Sequence, residues 1–310
     1  MLSELIKGIR TQSRSSVSQA ISLIENQGVE AAELLSGIHP FTGKAYRIGI
    51  TGPPGAGKSS ITDQLISHYR SEEKTVAVVA VDPSSPFSGG AVLGDRIRMT
   101  NHFSDKGVFV RSMATRGSQG GLSVKTQEAG DIFDAAGFDI VLFETVGVGQ
   151  IELDVIRAAD SVVVVLVPES GDEVQMLKAG LMEIGNIFAI NKADRPGANK
   201  LMITLQNILS TLPHDAETWI PKVVHTVAPE GMGIDQLSTL IDEHHQFTNA
   251  KGITGKKRDD RYKSRVMELV TDKLLGSFWK EDTSVELDGE IAKDFTQRKS
   301  PYDLVKQLMK

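Results

Sequence analysis

One glycine-rich segment constrains the fold of this chain more than any other feature, the sequence GPPGAGKS at residues 52–59. It follows an apolar run, AYRIGIT at 45–51, and precedes ITDQLISHY at 61–69, which has helical spacing. The pattern G-x-x-x-x-G-K-[ST] between a strand and a helix is typical of a loop whose backbone N–H groups surround a phosphate. A glycine-rich turn without a ligand is the alternative, and the strand and helix on either side favour the phosphate loop.

The side chains of this loop have separate predicted roles. Lys58 should bridge the β- and γ-phosphates of a bound nucleotide, and the Ser59 hydroxyl should hold Mg²⁺. The residues predicted to contact the nucleotide here are Gly52, Pro54, Gly55, Ala56, Gly57, Lys58, Ser59 and Ser60.

Short β-branched runs alternate with helical segments, which predicts an α/β fold. We expect a mostly parallel central sheet with helices on both faces, as in a P-loop NTPase G domain, and several runs are apolar enough for buried strands. The domain is placed at 43–248, after a helical N-terminal extension at 1–42 and before a linker and helical dimerisation segment at 249–310. The linker is the polar stretch NAKGITGKKRDD. The predicted strands are 45–51, 75–82, 108–112, 139–145, 161–168, 187–191 and 222–226.

Composition excludes several classes of partner. The net charge of -6 lacks the excess of Lys and Arg on which nucleic-acid and anionic-membrane binders depend. Because the chain has no cysteine, it has no disulfide and no thiolate nucleophile. Its first residues have no signal-peptide core, and no window is long and apolar enough to span a bilayer. We therefore expect a cytoplasmic protein without nucleic-acid or membrane partners.

A base-recognition motif follows the predicted strand IFAIN. Asn191, Lys192 and Asp194 form an N-K-x-D pattern at the strand end, where α/β sheets bind ligands. The Asp194 carboxylate can accept from N1–H and the amino group of guanine, whereas adenine offers no such donors, so the motif predicts guanine specificity. A capped helix start is the alternative. Val227 and Ala228 end the last core strand, and the Ala228 N–H is a weaker candidate for the guanine oxygen.

Three carboxylates are predicted near the magnesium ion. Asp82 and Glu144 come at the ends of two predicted strands, and Asp95 lies in the segment GDRIRM. Mg²⁺ prefers oxygen ligands and keeps several waters, so we expect Asp82 to bind directly and Glu144 through water. A helix cap or a surface ion pair is the alternative for each carboxylate.

The segment after Glu144 predicts slow hydrolysis. Gly147 is placed to donate its N–H to the γ-phosphate, which makes the loop sensitive to that group. Val148 occupies the position where Ras-like GTPases have a water-positioning glutamine, and Gln150 is the nearest substitute. A partner or a rearranged loop is therefore expected to complete the site.

With these motifs assembled, the chain resembles the methylmalonyl-CoA mutase-associated GTPases, the MeaB/ArgK family of P-loop G proteins once described as lysine-arginine-ornithine transport-system kinases. The resemblance is strong over about residues 40–245. It rests on GPPGAGKSS, VDPSSPFSGGAVLGDRIRM, RSMATRGSQGGLS, FETVGVGQ, PESGDEVQMLKAG and NKAD, in that order.

The resemblance implies a function. Members of that family are Mg²⁺-dependent GTPases that act as chaperones of an adenosylcobalamin-dependent acyl-CoA mutase such as methylmalonyl-CoA mutase, and they dimerise through a C-terminal segment. An additional switch loop matches 170–178, where Lys178 is expected to approach the nucleotide when the partner is bound. The chain departs from the family at Ser88, Ile151 and Val227, and the second departure puts partner-linked switching in doubt. The residues with expected catalytic roles are Lys58, Asp82, Glu144, Gln150 and Lys178.

Three other functions remain open. A nickel-insertion GTPase is the nearest, but such proteins carry Cys or His ligands, and we expect the pair His244 and His245 to lie on a solvated helix face. A transport-associated kinase could use arginines such as Arg111 to bind anions, although no acidic pocket for a cationic substrate accompanies them. A nucleotide-gated dimer without turnover is the third.

Overall fold

The structure, a computed structural model, divides into two compact units, Met1–Arg258 and Asp259–Lys310. For a few residues the backbone alone is described, namely 82, 100, 114, 121–123 and 281–282. The residues described are 2–26, 28–82, 100–102, 104–114, 121–145, 157–168, 181–213, 215, 217–279 and 281–309.

A seven-stranded sheet forms the centre of the first unit, and every adjacent pair of strands is parallel. The strands are β1 (Tyr46–Thr51), β2 (Val76–Asp82), β3 (Val108–Ala114), β4 (Ile140–Thr145), β5 (Ser161–Leu166), β6 (Ile187–Ile190) and β7 (Lys222–His225). Their order is β3-β2-β4-β1-β5-β6-β7. All seven predicted strands are confirmed, and β1, β4 and β5 are buried at every residue, as their apolar sequences require.

Helices cover both faces of this sheet, which confirms the predicted fold class. The helices of the described chain are α1 (Leu2–Arg10), α2 (Arg14–Glu25), α3 (Ala31–Ile38), α4 (Lys58–Ser71), α5 (Gly121–Ala135), α6 (Leu181–Ile184), α7 (Ala198–Ser210), α8 (Ile234–Ala250), α9 (Ile253–Phe278), α10 (Glu281–Ile291) and α11 (Pro301–Leu308). Helices α4 and α8 pack on one face, and α5 packs on the other. None of the helices in these described ranges is long and apolar enough to cross a bilayer.

The N-terminal helices belong to the main core. Ile9 of α1, Ile21 of α2 and Leu34 of α3 are fully buried in one apolar cluster with Val79 of β2 and Phe143 of β4. The expected amphipathic helices at the start of the chain are therefore present. Their apolar sides cover the same sheet face as α5.

A buried carboxylate joins these helices to the sheet. Asp134 of α5 accepts hydrogen bonds from the backbone N–H groups of Gly43, Lys44 and Ala45 at 2.7, 2.9 and 3.0 Å. Its Oδ2 also lies 3.2 Å from the guanidinium of Arg47, which reaches Asp131 as well. Asp134 therefore determines where the chain enters β1.

The predicted linker at 249–260 is largely helical. Helix α8 ends at Ala250 and α9 begins at Ile253, with Gly252 in the left-handed region at φ +69° between them. The polar composition of this stretch indicated exposure correctly, but Lys, Arg and Asp also form solvated helices. The Lys257 ammonium donates to the carbonyl oxygen of Asp160, and both residues belong to the first unit.

The expectation that both His244 and His245 lie on a solvated face is wrong for His244. This residue is 2% exposed, and its Nδ1 hydrogen-bonds the Ser161 hydroxyl, which also contacts the Tyr46 hydroxyl. Burial, with help from nearby positive charge on Lys257, lowers the pKa of His244 to about 3. His245 is half-buried against the Tyr46 ring. Both histidines therefore help to hold α8 against the sheet.

We expect Asp134→Asn to lower the free energy of unfolding by about 2–4 kcal/mol, because an amide NH₂ would face backbone donors and leave Arg47 without its buried partner. Urea denaturation measures this change. Asp131→Asn is the matched control, since that side chain is 42% exposed beside the same arginine. The control should cost about 1 kcal/mol or less, and equal losses in the two variants would contradict the role assigned to Asp134.

Candidate nucleotide-binding site

The glycine-rich segment follows β1 at the carboxyl edge of the sheet. Gly52 has φ +138°, and a Cβ there would lie 2.1 Å from the carbonyl oxygen of Val165, so only glycine fits. Gly57 has φ +92°, and a Cβ there would lie 2.2 Å from Nδ2 of Asn191. Helix α4 begins at the next residue, Lys58. The segment is therefore a tight loop that leads directly into a helix N-terminus.

The ammonium group of Lys58 lies inside this loop. Its Nζ donates to the carbonyl oxygens of Gly52 at 2.7 Å and Pro53 at 3.1 Å, and the residue is 6% exposed. A buried cation beside inward-facing backbone and a helix N-terminus is suited to binding a polyanion.

Ser59 and Glu144 meet next to the loop. The Ser59 hydroxyl donates to Oε1 of Glu144 at 2.5 Å, and both residues are buried. Glu144 reaches this position because β4 pairs with β1, where Ile50 is its partner in register. A hydroxyl and a carboxylate in contact are hard oxygen donors of the kind that Mg²⁺ prefers, whether they bind it directly or through a water.

The base-recognition motif is tied to the phosphate loop. The Asn191 side chain is buried, and its Nδ2 donates to the carbonyl oxygen of Ala56 at 2.9 Å. Lys192, with φ +57°, donates from Nζ to the carbonyl oxygen of Gly55 at 2.9 Å. Asp194 is exposed two residues later. The structure thus brings the two predicted motifs together, 135 residues apart for the first contact.

The alternative in which this motif caps a helix is wrong. The N-cap of α7 is Gly197, and no side chain makes a cap hydrogen bond at that end. The carboxylate of Asp194 therefore does not satisfy the start of α7.

The Ala228 N–H, predicted to contact the guanine oxygen, donates to a protein side chain in this structure. The Ala228 N–H donates to Oδ1 of Asn191 at 3.2 Å, and the Val227 N–H donates to the carbonyl oxygen of Met232. Thr226, which the sequence did not single out, donates its hydroxyl to the same Oδ1 at 3.3 Å. Nothing in its local sequence could have identified it, because the contact joins two separate strand ends.

Other predicted residues lie outside the described part of the chain, and Asp82 is described only as the last residue of β2. Arg111, considered as an anion ligand, instead pairs with Glu25 and contacts the Ser22 hydroxyl. The Arg111 guanidinium therefore joins β3 to α2. The site residues outside the described ranges are Asp95, Gly147, Gln150 and Lys178, together with the neighbouring Ser88, Val148 and Ile151.

Comparison with known proteins agrees with this geometry. The family described as "Methylmalonyl Co-A mutase-associated GTPase MeaB" matches residues 17–283. A protein of Pyrococcus abyssi named as a candidate GTPase is 45% identical over 314 residues, which cover 100% of this chain and 96% of that protein. The mitochondrial methylmalonic aciduria type A homolog of Mus musculus is 32% identical over 295 residues, covering 88% of this chain and 70% of that protein.

A solved structure is similar to this chain in fold. The crystal structure of an LAO/AO transport system kinase superposes with a TM-score of 0.74 at 28% identity, covering 99% of this chain and 96% of that one. The family match extends from α2 into α10 and includes both motifs of the site. The chain belongs to the family of methylmalonyl-CoA mutase-associated GTPases and is a GTP hydrolase.

Proposed function

We propose that this GTPase is Mg²⁺-dependent and acts as a chaperone that gates adenosylcobalamin delivery to a cobalamin-dependent acyl-CoA mutase and protects that enzyme. The mutase is methylmalonyl-CoA mutase or a close relative. The observation that carries the proposal is the family match over 17–283, which spans the joined phosphate and base motifs. The protein works in the cytoplasm.

The phosphate end of the site supports a magnesium role. The Lys58 Nζ lies within the loop and donates to two of its carbonyl oxygens, so phosphate oxygens bound there would replace these acceptors. Ser59 and Asp82 would hold the metal directly, Glu144 would hold it through a water, and Asp95 is the third candidate carboxylate. A bound Mg²⁺ would supply positive charge that stabilises the negative charge of the phosphates.

Slow GTP hydrolysis that depends on a partner follows from the residue at position 148, where Ras-like GTPases position the attacking water. Val148 stands there without a hydrogen-bonding side chain, so this residue cannot orient the attacking water. Gly147 contacts the γ-phosphate, Gln150 is the substitute, and Lys178 enters when the mutase is bound. This assignment rests on the sequence and the family.

Guanine selection depends on Asp194. Its exposed carboxylate follows a loop held by Asn191 and Lys192, so the Lys192 stem would cover the base while the Asp194 carboxylate accepts from N1–H and the amino group. The Ala228 N–H exchanges its acceptor, Oδ1 of Asn191, for the guanine oxygen. Guanine supplies both donors that a carboxylate requires.

An apolar stripe in the second unit supports a homodimer. Val266, Val270 and Leu274 recur every four residues along α9 and are 42%, 51% and 63% exposed. Met267 and Leu269 are also exposed beside them. Soluble monomers rarely expose contiguous apolar surface of this kind, and a twofold interface would cover it with the same stripe of a second copy.

We expect Asp194→Asn to weaken GTP binding by about 10²-fold or more and to improve binding of xanthosine triphosphate, whose C2 carbonyl accepts from the new amide. Competition against a fluorescent guanine nucleotide measures both affinities. Asp235→Asn, with a side chain 95% exposed, is the control and should bind as the original protein does. Unchanged preference for GTP in Asp194→Asn would exclude Asp194 as the base reader.

Adding a cobalamin-dependent acyl-CoA mutase from the same organism should raise GTP turnover about tenfold or more, since a partner completes the site. Phosphate release is measured with and without the mutase, and complex formation is followed by size-exclusion chromatography. Lys58→Ala should show no stimulation. Absence of both stimulation and complex would reject the chaperone function while leaving the GTPase intact, and transfer of labelled γ-phosphate to a small molecule would favour a kinase.

The double variant Val270→Glu/Leu274→Glu should be monomeric by light scattering, because charges in an apolar interface are desolvated without partners. Ile203→Glu, at a position 59% exposed on α7, is the matched control and should stay dimeric. A dimer in the double variant, or a monomer in the unmodified protein, would contradict the proposed interface.

A further inference from the structure

Ser112 of β3 carries a buried hydroxyl that the established activity does not use. The residue is 9% exposed, and its Oγ has no hydrogen-bond partner within the described ranges. Leaving such a group unsatisfied costs about 1–3 kcal/mol, so a protein that keeps it there gains little stability from it. A ligand that arrives with the nucleotide would account for the hydroxyl.

The strand register places Ser112 in line with the magnesium residues. Ser112 pairs with Ala80 of β2, and Ala80 pairs with Glu144 of β4, so the three residues form one row across the sheet. Residues paired in register share a face, and this is the face of α4, because Glu144 accepts from Ser59. With strands about 4.8 Å apart, Ser112 and Glu144 are separated by about 10 Å between Cα atoms.

The residue in the middle of this row is Ala80, whose side chain is a single methyl group. Ala80 places only a methyl group between the two polar residues, and it is buried. A buried water requires two or more polar partners, and a serine hydroxyl and a carboxylate supply them at the two ends of the row. Mg²⁺ in proteins usually keeps several of its waters, so a metal held at Ser59 and Glu144 brings such waters with it.

We propose that Ser112 is a positioning residue of the magnesium site, whose hydroxyl holds a water of the metal's hydration shell across Ala80 from Glu144. The proposal rests on the Mg²⁺ dependence proposed above. It assigns β3, the edge strand, an indirect part in metal binding, through this water. Ser112 orients the shell and touches neither nucleotide nor metal.

The test measures binding of a fluorescent non-hydrolysable GTP analogue to Ser112→Ala in EDTA and across a Mg²⁺ titration. The half-saturating Mg²⁺ concentration should rise about three- to tenfold, the effect of losing one hydrogen bond. Affinity in EDTA should stay within about twofold of the original protein, because no nucleotide contact is removed. Nucleotide-free Ser112→Ala should be at least as stable to urea, since it loses an unsatisfied group.

Thr126→Val is the matched control. Thr126 of α5 is also fully buried with a hydroxyl that has no partner among the described residues, and α5 covers the opposite face of the sheet. This variant should leave the Mg²⁺ titration unchanged. An equal shift in both variants, an unshifted Ser112→Ala, or equal weakening of Ser112→Ala in EDTA and Mg²⁺ would overturn the assignment. If the affinity of the unmodified protein for the GTP analogue did not change with Mg²⁺ concentration, the magnesium site itself would be overturned.

Discussion

Parallel pairing of β1 with β4 and β5 determines where Glu144 and the phosphate loop lie, because it brings the carboxyl ends of these strands to one edge. Glu144 stands beside Ile50, and the chain leaves β1 through Gly52 against the backbone of β5. A slip of one residue would turn Glu144 to the opposite face, since side chains alternate along a strand. The contact between Glu144 and Ser59 therefore depends on the apolar residues that fix the register of β1 and β4.

Hydrogen bonds join the phosphate and base motifs into one assembly. Asn191 and Lys192 each donate to a carbonyl oxygen of the loop, and Lys58 donates to two more. These bonds hold three donors near the place where a nucleotide meets the sheet. Preorganised donors lose little freedom on binding, which reduces the entropic cost of holding a triphosphate.

Strands and loop motifs were predictable from the sequence because their signals are local. Apolar runs such as SVVVVL identify a strand buried on both faces, and the spacing of GPPGAGKS is specific by itself. Groups whose surroundings come from distant segments were not predictable: His244 is buried by Ser161, and Arg111 is paired with Glu25. The helical start of α9 was missed because polarity reports exposure and not backbone conformation. Ser112 gave no signal, since its significance arises only from the register of three strands.

Helices α1, α2 and α3 share a core with the sheet, and this affects how the protein unfolds. Ile9, Ile21 and Leu34 fill the same cluster as Val79 and Phe143, so the described N-terminal helices and the sheet share one apolar core. A chain beginning at residue 43 would expose to water the apolar side of α5 and the apolar side chains of β2 and β4 that these helices cover. We therefore expect those helices and the strands beneath them to unfold in one cooperative transition, and not as independent modules.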